Sequence, residues 1–436
     1  MKESSEDTSP SKVELDANSA LAMEEYRSGV VSIKSKPKMV TVETTGVCNL
    51  ACVMCSHGLD EPREYIHLPE ELAAKLRPVI GGAQIVQLHG LGEPLMNKAF
   101  WTMLAMTHDQ QYVAINTNGI LVNKANADRL IASSLSEICF SLDAATPETY
   151  RKIRGADFAT VLNAIRYVVE EKRKIGKEKP FVHMNMTLMR ENIEEAPAFV
   201  RLAHELGAQK VMMWHMNSIP MERKWQVARD GWVFDYHQQH LSRHADLSNR
   251  MIRRSIAEAK RLGIELELDW AKQVFFDEEN DASEQQSAPL APSTLEAAPD
   301  NSTPSPKDCN APWTWMLVQT NGEVQPCCFG PCNHLGSLWT SDVEAIWNGP
   351  AFRRLRENIL ADRVDHACAG GTCKFVAGRP ASHDVEHPTR AAAGRVARRA
   401  VTFSKSVVRG AVGEGAWARI RSLYRGLRLR LGQILL

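Results

Sequence analysis

The 436-residue chain carries no net charge: 52 Lys and Arg stand against 52 Asp and Glu. The molecule as a whole is therefore not a polyelectrolyte binder of nucleic acid. No stretch of eighteen or more apolar residues occurs, which excludes a membrane-spanning helix. The opening residues MKESSEDTSPSK lack the apolar core of a secretory signal, so a cytoplasmic protein with reduced thiols is expected. Nor is the composition biased: 44% apolar and 24% charged residues exclude global disorder and a collagen-like fibre. The length suits roughly two to three domains.

What is present in excess is clustered cysteine. Of ten cysteines, three lie in Cys48-Asn-Leu-Ala-Cys52-Val-Met-Cys55 and six between Cys309 and Cys373, with Cys139 alone. Clustered reduced thiols point to metal. Three soft sulfur ligands suit an iron–sulfur cluster or zinc, and a closed zinc site would take His57 as its fourth ligand. Spacing alone leaves both open.

Hydrophobic patterning from Met39 onward alternates strands with helices. Strands are expected at 39–45, 84–89, 112–116, 137–142, 181–188, 210–215 and 264–268, with helices at 69–79, 123–133, 193–206 and 248–262. This rhythm argues for a parallel α/β sheet, open or closed into a barrel. Residues 1 to about 20 read as disordered, within an N-terminal extension 1–37. Five prolines within 277–308 give a linker composition, placing a disordered linker at 271–308. A Cys-rich segment follows at 309–380, where Asn321-Gly322 marks a hairpin between 314–320 and 323–325.

A basic tail occupies 381–436. From Thr389 onward eleven Lys and Arg stand against the single acid Glu414. Trp417, Ile420, Leu423, Leu427, Leu431 and Ile434 recur at helical spacing among arginines, the pattern of an amphipathic helix that docks on an anionic membrane surface, packs on its own domain or binds an acidic partner.

The residues after the first cysteines narrow the choice. Cys48-x3-Cys52-x2-Cys55 resembles the signature of the radical S-adenosylmethionine (SAM) superfamily, and further matches follow in that superfamily's order. Gly90-Leu-Gly92-Glu93-Pro94 resembles its glycine–glutamate motif, with Leu91 inserted. Asn116-Thr117-Asn118-Gly119 resembles its TNG turn. Ser141-Leu142-Asp143, Glu148-Thr149-Tyr150 and Ile153-Arg154-Gly155 resemble its SLD…ETY…IRG stretch. Met54 replaces the usual aromatic residue before the third cysteine.

The resemblance, over about residues 38–270, implies a partial (β/α)6 TIM-like barrel. Cys48, Cys52 and Cys55 would hold a [4Fe–4S] cluster whose open iron chelates SAM. Gly92, Glu93, Asn118, Ser141, Asp143 and Arg154 would contact SAM. Reductive cleavage of SAM would then give a 5′-deoxyadenosyl radical that abstracts a hydrogen atom from substrate, with flavodoxin or ferredoxin as electron donor.

Residues 309–380 resemble the SPASM/twitch region that follows many such barrels. The resemblance assigns Cys309, Cys327, Cys368 and Cys373 to one auxiliary [4Fe–4S] cluster and leaves Cys328 and Cys332 spare. Strand parity nominates His89, Gln87, Cys139, Ser141, His183, Asn185 and Thr187 for the barrel interior, with Cys139 a candidate hydrogen-atom donor. The sequence reading favours a sugar, cyclitol or other small-molecule or glycan-type substrate, because about 37 residues before the first strand are too few for a peptide-recognition domain. Peptide or protein maturation is the alternative. A non-catalytic metalloprotein or electron carrier is the rival of another class.

Overall fold

A computed structural model describes residues 9–58, 66–217, 223–268, 274–276, 305–328, 334–368, 373, 375 and 376. The tail 381–436 and most of the expected linker, 277–304, lie outside the described residues.

Six successive strand–helix units build the barrel sheet. Its strands are β1 (Met39–Val42), β2 (Ile85–Gln87), β3 (Tyr112–Thr117), β4 (Glu137–Ser141), β5 (Phe181–Leu188) and β6 (Lys210–His215). They are parallel neighbours in chain order, as right-handed β–α–β connections require. A hairpin of β7 (Gln226–Arg229) and β8 (Trp232–Asp235) follows, and β9 (Glu265–Leu268) then pairs parallel with β6.

The side chains sort by alternation. Val40, Val42, Val86, Val113, Ile115, Ile138, Phe140, Val182, Met184, Met186, Val211 and Met213 are buried in the main core beneath the helices. The opposite parity carries Thr41, Gln87, Glu137, Cys139, Ser141, His183, Asn185 and Lys210, a polar face opposite that core.

The Cys-rich segment does not stand apart from this sheet. Its first strand β10 (Trp315–Val318) pairs parallel with β1, Met39 opposite Trp315. Strand β11 (Glu323–Gln325) turns back antiparallel through Asn321-Gly322, and β12 (Gly336–Ser337) adds to it. One ten-stranded sheet results, in the order β12-β11-β10-β1-β2-β3-β4-β5-β6-β9.

The N-terminal stretch corrects the sequence reading. Helix α1 spans Lys12–Arg27, opened by a capping box in which Ser11 and Glu14 satisfy each other's backbone groups. What holds it is remote in sequence. Tyr26 meets Trp313 edge-on at 5.2 Å, and the Glu25 carboxylate accepts from the backbone of Lys34 at 2.6 Å and Ser35 at 3.2 Å. A polar composition therefore hid a helix whose partner lies nearly 300 residues away. The helix expected at 69–79 is broken into α2 (Glu70–Lys75) and α3 (Arg77–Ile80), with Pro78 in the first turn of α3 where its missing N–H costs nothing.

Candidate active site

The Cys48–Cys55 loop leaves the C-terminal end of β1, where parallel α/β sheets place their chemistry. Each of its sulfurs meets one side-chain nitrogen. Asn118 Nδ2 donates to Cys48 Sγ at 3.7 Å, Arg154 Nη1 donates to Cys52 Sγ at 3.6 Å, and His57 Nδ1 lies 3.4 Å from Cys55 Sγ. These nitrogens come from the turn after β3, from helix α4 (Pro147–Arg154) and from the loop itself. His57 is held by Nε2 against the Gly46 carbonyl at 2.7 Å.

Burial raises the Cys48 thiol and pushes Cys52 up to about 11, with the Arg154 cation opposing it at Cys52. Burial also raises Cys55, but its hydrogen bonds with His57 outweigh that and leave it lowered. The fit to a thiolate-held cluster lies in this donor set: three sulfurs, each facing a side-chain nitrogen. Among the described residues no three His, Cys, Asp or Glu side chains converge on one point as a single ion requires. A cubane gives each sulfur its own corner and needs no such point.

Helix α4 delivers Arg154 through a chain of caps. Thr146 accepts from Thr149 N, and Glu195 accepts from Ala145 N at 2.7 Å, Thr146 Oγ1 at 2.7 Å and Thr149 Oγ1 at 2.5 Å. Arg154 is 8% exposed, and its Nη2 lies 2.5 Å from Asp143 Oδ2. Its Nε is buried with no hydrogen-bond partner, an orphaned donor that suits an anionic group such as the SAM carboxylate.

Other residues nominated from the sequence are engaged differently. Asp143, wholly buried in the left-handed region (φ 62°), turns one oxygen to Thr187 N at 2.6 Å and the other to Arg154. Its reach toward any ligand therefore runs through Arg154. Glu93 is 2% exposed and accepts from Thr117 Oγ1 and Asn118 N, both at 2.8 Å. Burial nonetheless pushes its carboxyl up to about 7. Glu93 braces the Asn118 turn, while Asn118 bonds Asn49 Oδ1 at 2.7 Å. Gly92 sits where a Cβ would strike the carbonyl oxygens of Thr45 and Val47 at 2.4 and 2.5 Å, so its backbone lies flat on the cysteine loop.

Further along the interior face, Cys139 is 2% exposed with Sγ 4.0 Å from Met212 Sδ, and His183 Nδ1 lies 3.0 Å from Glu137 Oε1. Tyr112 also donates to Glu137, and Lys210 pairs with Glu265 and Glu267, each at 2.8 Å. Ser141 stands opposite Asn185, whose Oδ1 is buried and unpartnered. The Nδ1 of His89 is likewise buried and unpartnered, and burial pushes this imidazole down to about 4.

The hairpin β7–β8 is a further element absent from the sequence expectations, although Asp230-Gly231 with both φ positive is a strong hairpin signal. It roofs the cysteine loop. Trp225, Phe234 and Tyr236 pack with Val53, Ile153 and Met54. Trp225 Nε1 donates to Val53 O at 3.1 Å, and Arg229 donates to the carbonyls of Ala51, Lys152 and Ile153.

The second set gathers at the other end of β1. Cys309 and Cys327 pack against Met39, Ile85 and Trp315, the first residues of β1, β2 and β10. Burial raises the thiols of Cys309 and Cys368. The charges of Cys327 and Cys373 add to this at Cys309, and those of Cys309, Cys327 and Cys373 at Cys368. Cys309 and Cys368 each feel other thiols named from the sequence, a donor set that suits a four-thiolate cluster. Cys328, the next residue after Cys327, is exposed. Cys332 lies outside the described residues, and no disulfide joins the described cysteines.

Comparison with known proteins agrees with this geometry. Residues 42–203 match the radical SAM superfamily, and residues 309–374 match the SPASM iron–sulfur cluster-binding domain. Among curated relatives, a probable GTP 3′,8-cyclase of Methanocaldococcus jannaschii is 29% identical over 177 residues, 39% of this chain and 56% of that protein. The mycofactocin maturase MftC of Mycobacterium ulcerans is 30% identical over 177 residues, 39% of this chain and 46% of that protein. The chain thus spans about half the length of the curated relatives it matches. Streptococcus suis SuiB, solved bound to its precursor peptide SuiA, shares the fold with a TM-score of 0.53 at 15% identity, covering 83% of this chain and 75% of SuiB.

Proposed function

Because the chain belongs to the radical SAM superfamily and carries a SPASM domain behind its barrel, we propose that it abstracts a hydrogen atom from a peptide substrate held on the polar face of the barrel. One observation carries the reading: the two cysteine sets occupy opposite ends of β1, with the polar face of the sheet between them. When bound, a [4Fe–4S] cluster and SAM would supply one-electron radical chemistry; the protein supplies position and exclusion of water.

Cys48, Cys52 and Cys55 would hold the first cluster. Asn118, Arg154 and the backbone of Gly92 shape the cofactor pocket, braced from behind by Glu93 and Asp143. The aromatic roof of the β7–β8 hairpin closes the loop from solvent. Cys309, Cys327, Cys368 and Cys373 would hold the second cluster, which would supply further one-electron redox chemistry. Ser141, Cys139 and Asn185 line the face between, with Cys139 the candidate thiol to return a hydrogen atom.

The peptide class replaces the sugar-like substrate as the leading reading, supported by the likeness to mycofactocin maturase over the barrel. A small-molecule substrate is the second reading, favoured by the equally similar GTP 3′,8-cyclases. Co-expression with candidate precursor peptides, followed by mass spectrometry, tests the choice. A mass loss of two hydrogens that requires Cys55 supports peptide maturation. Unmodified peptides beside turnover of a small molecule would refute it.

No described helix is long and apolar enough to cross a membrane. We assign the basic tail 389–436 to an anionic membrane surface, and equal sedimentation with anionic liposomes by full-length and tail-less protein would remove that assignment.

A further inference from the structure

Arg154 does more than present an orphaned Nε. Residues 51–53 and 152–154 are laced together contact by contact. Arg229 bonds the carbonyl of Ala51 as well as those of Lys152 at 3.0 Å and Ile153 at 2.9 Å. Val53 N donates to Ile153 O at 3.0 Å, and Trp225 holds Val53 O. Between these ties Arg154 Nη1 points at Cys52 Sγ, 3.6 Å away, with Asp143 on its other nitrogen at 2.5 Å. Both members of the Arg154–Asp143 pair are buried, at 8% and 0% exposure. Fields act there with little screening.

We propose that Arg154 is a positioning residue that sets the reduction potential of the cluster held by Cys48, Cys52 and Cys55, and that Asp143 limits its effect. The inference rests on the reading that these cysteines hold a cluster. Adding an electron puts more negative charge on the cluster sulfurs. An N–H donor and a cation at Cys52 therefore stabilise the reduced form more than the oxidised form and raise the potential. The Asp143 carboxylate neutralises part of that cation and lowers it. The two residues must then act with opposite sign, which a merely structural role would not produce.

The test is a redox titration of the reconstituted full-length protein, followed by electron paramagnetic resonance without SAM so that cofactor contacts do not enter. The first cluster is the signal missing from Cys55→Ala. Arg154→Met is expected to lower the reduced-to-oxidised ratio at fixed potential about tenfold, ~59 mV for one electron. Arg154→Lys, which keeps a charged donor, recovers part of the loss. Asp143→Asn, tolerant of the left-handed backbone, raises the ratio several-fold.

An unchanged midpoint in Arg154→Met, or a downward shift in Asp143→Asn, overturns the proposal. If Arg154→Met fails to hold a cluster, the sign of the Asp143→Asn shift decides alone: upward supports, downward or absent refutes. A Cys55→Ala protein that keeps every cluster signal would instead overturn the cluster assignment beneath the proposal.

Discussion

Replacing Gly155 by Ala should damage this protein beyond the cost of its backbone conformation, and the structure supplies its own control. Gly155 closes α4 in the left-handed region at φ +71°, and Gly263 closes the helix Ala245–Leu262 the same way at φ +69°. An Ala pays about 1–2 kcal/mol for that conformation at either place. At Gly263 the added methyl meets nothing within 4 Å. At Gly155 it would sit 2.8 Å from Arg229 Cζ and 2.9 Å from its Nη1. The guanidinium must then shift, which weakens its bonds to the carbonyls of Ala51, Lys152 and Ile153.

Hydrogen bonds from a charged donor contribute about 1.5–3 kcal/mol each when buried. Arg229 is partly exposed and its flexible end can keep part of its bonding, so the loss of about one bond at the lower end applies, and Gly155→Ala should cost about 1.5 kcal/mol more than Gly263→Ala. Urea denaturation of the apoprotein measures both. In the double variant with Arg229→Ala the extra cost should vanish, leaving a coupling of similar size. Equal losses at the two glycines, or full additivity with Arg229→Ala, would refute the claim that Arg229 laces the loop.

Three further outcomes follow from the same physics. Glu93 titrates near 7 in the fold against about 4.5 unfolded, so the native state binds more protons between these values and the Glu93 contribution to stability falls as pH rises through that window. His89, pushed down to about 4, acts in the opposite sense between 4 and 6.5, so the difference between wild type and Glu93→Gln, followed by urea melts, is the quantity that should decline. Cys309→Ser or Cys368→Ser should remove roughly half of the reconstituted iron while leaving the signal that depends on Cys55, by iron analysis and electron paramagnetic resonance; loss of both signals would contradict independent sites. Arg356, fully buried with bonds to the carbonyls of Val31, Pro312 and Trp347, should cost about 3 kcal/mol or more when truncated to Ala, because three carbonyls lose their donor at about 1–3 kcal/mol each. A loss under 1 kcal/mol would show that water replaces it.

The barrel strands were readable because period-2 alternation is a local signal. Phe181–Leu188, Lys210–His215 and Glu323–Gln325 were expected at the bounds observed. What local pattern could not carry is pairing across long separations. Helix α1 is polar by composition and acquires its packing from Trp313, and β10 finds β1 across the whole barrel. At the site, spacing brought out the cysteines, and the motif resemblance brought out Asn118 and Arg154 beside them. It did not reveal that Glu93 and Asp143 turn inward, because a carboxylate's partners are set by loop geometry. Arg229 lay beside a readable Asp-Gly turn, yet its role depends on three carbonyls brought together only by the fold.

The parallel pair β1–β10 makes this chain divisible in an unusual place. Each strand of the pair is supplied from a different side of residues 277–304, and each covers an edge that the other would expose. A gene split within that stretch should therefore yield two complementary fragments. The first would end after the barrel with β1 bare, the second would begin before Cys309 with β10 bare, and each would be insoluble alone. Mixed, they would reassemble across that seam, turning the second cysteine set into a part that can be exchanged.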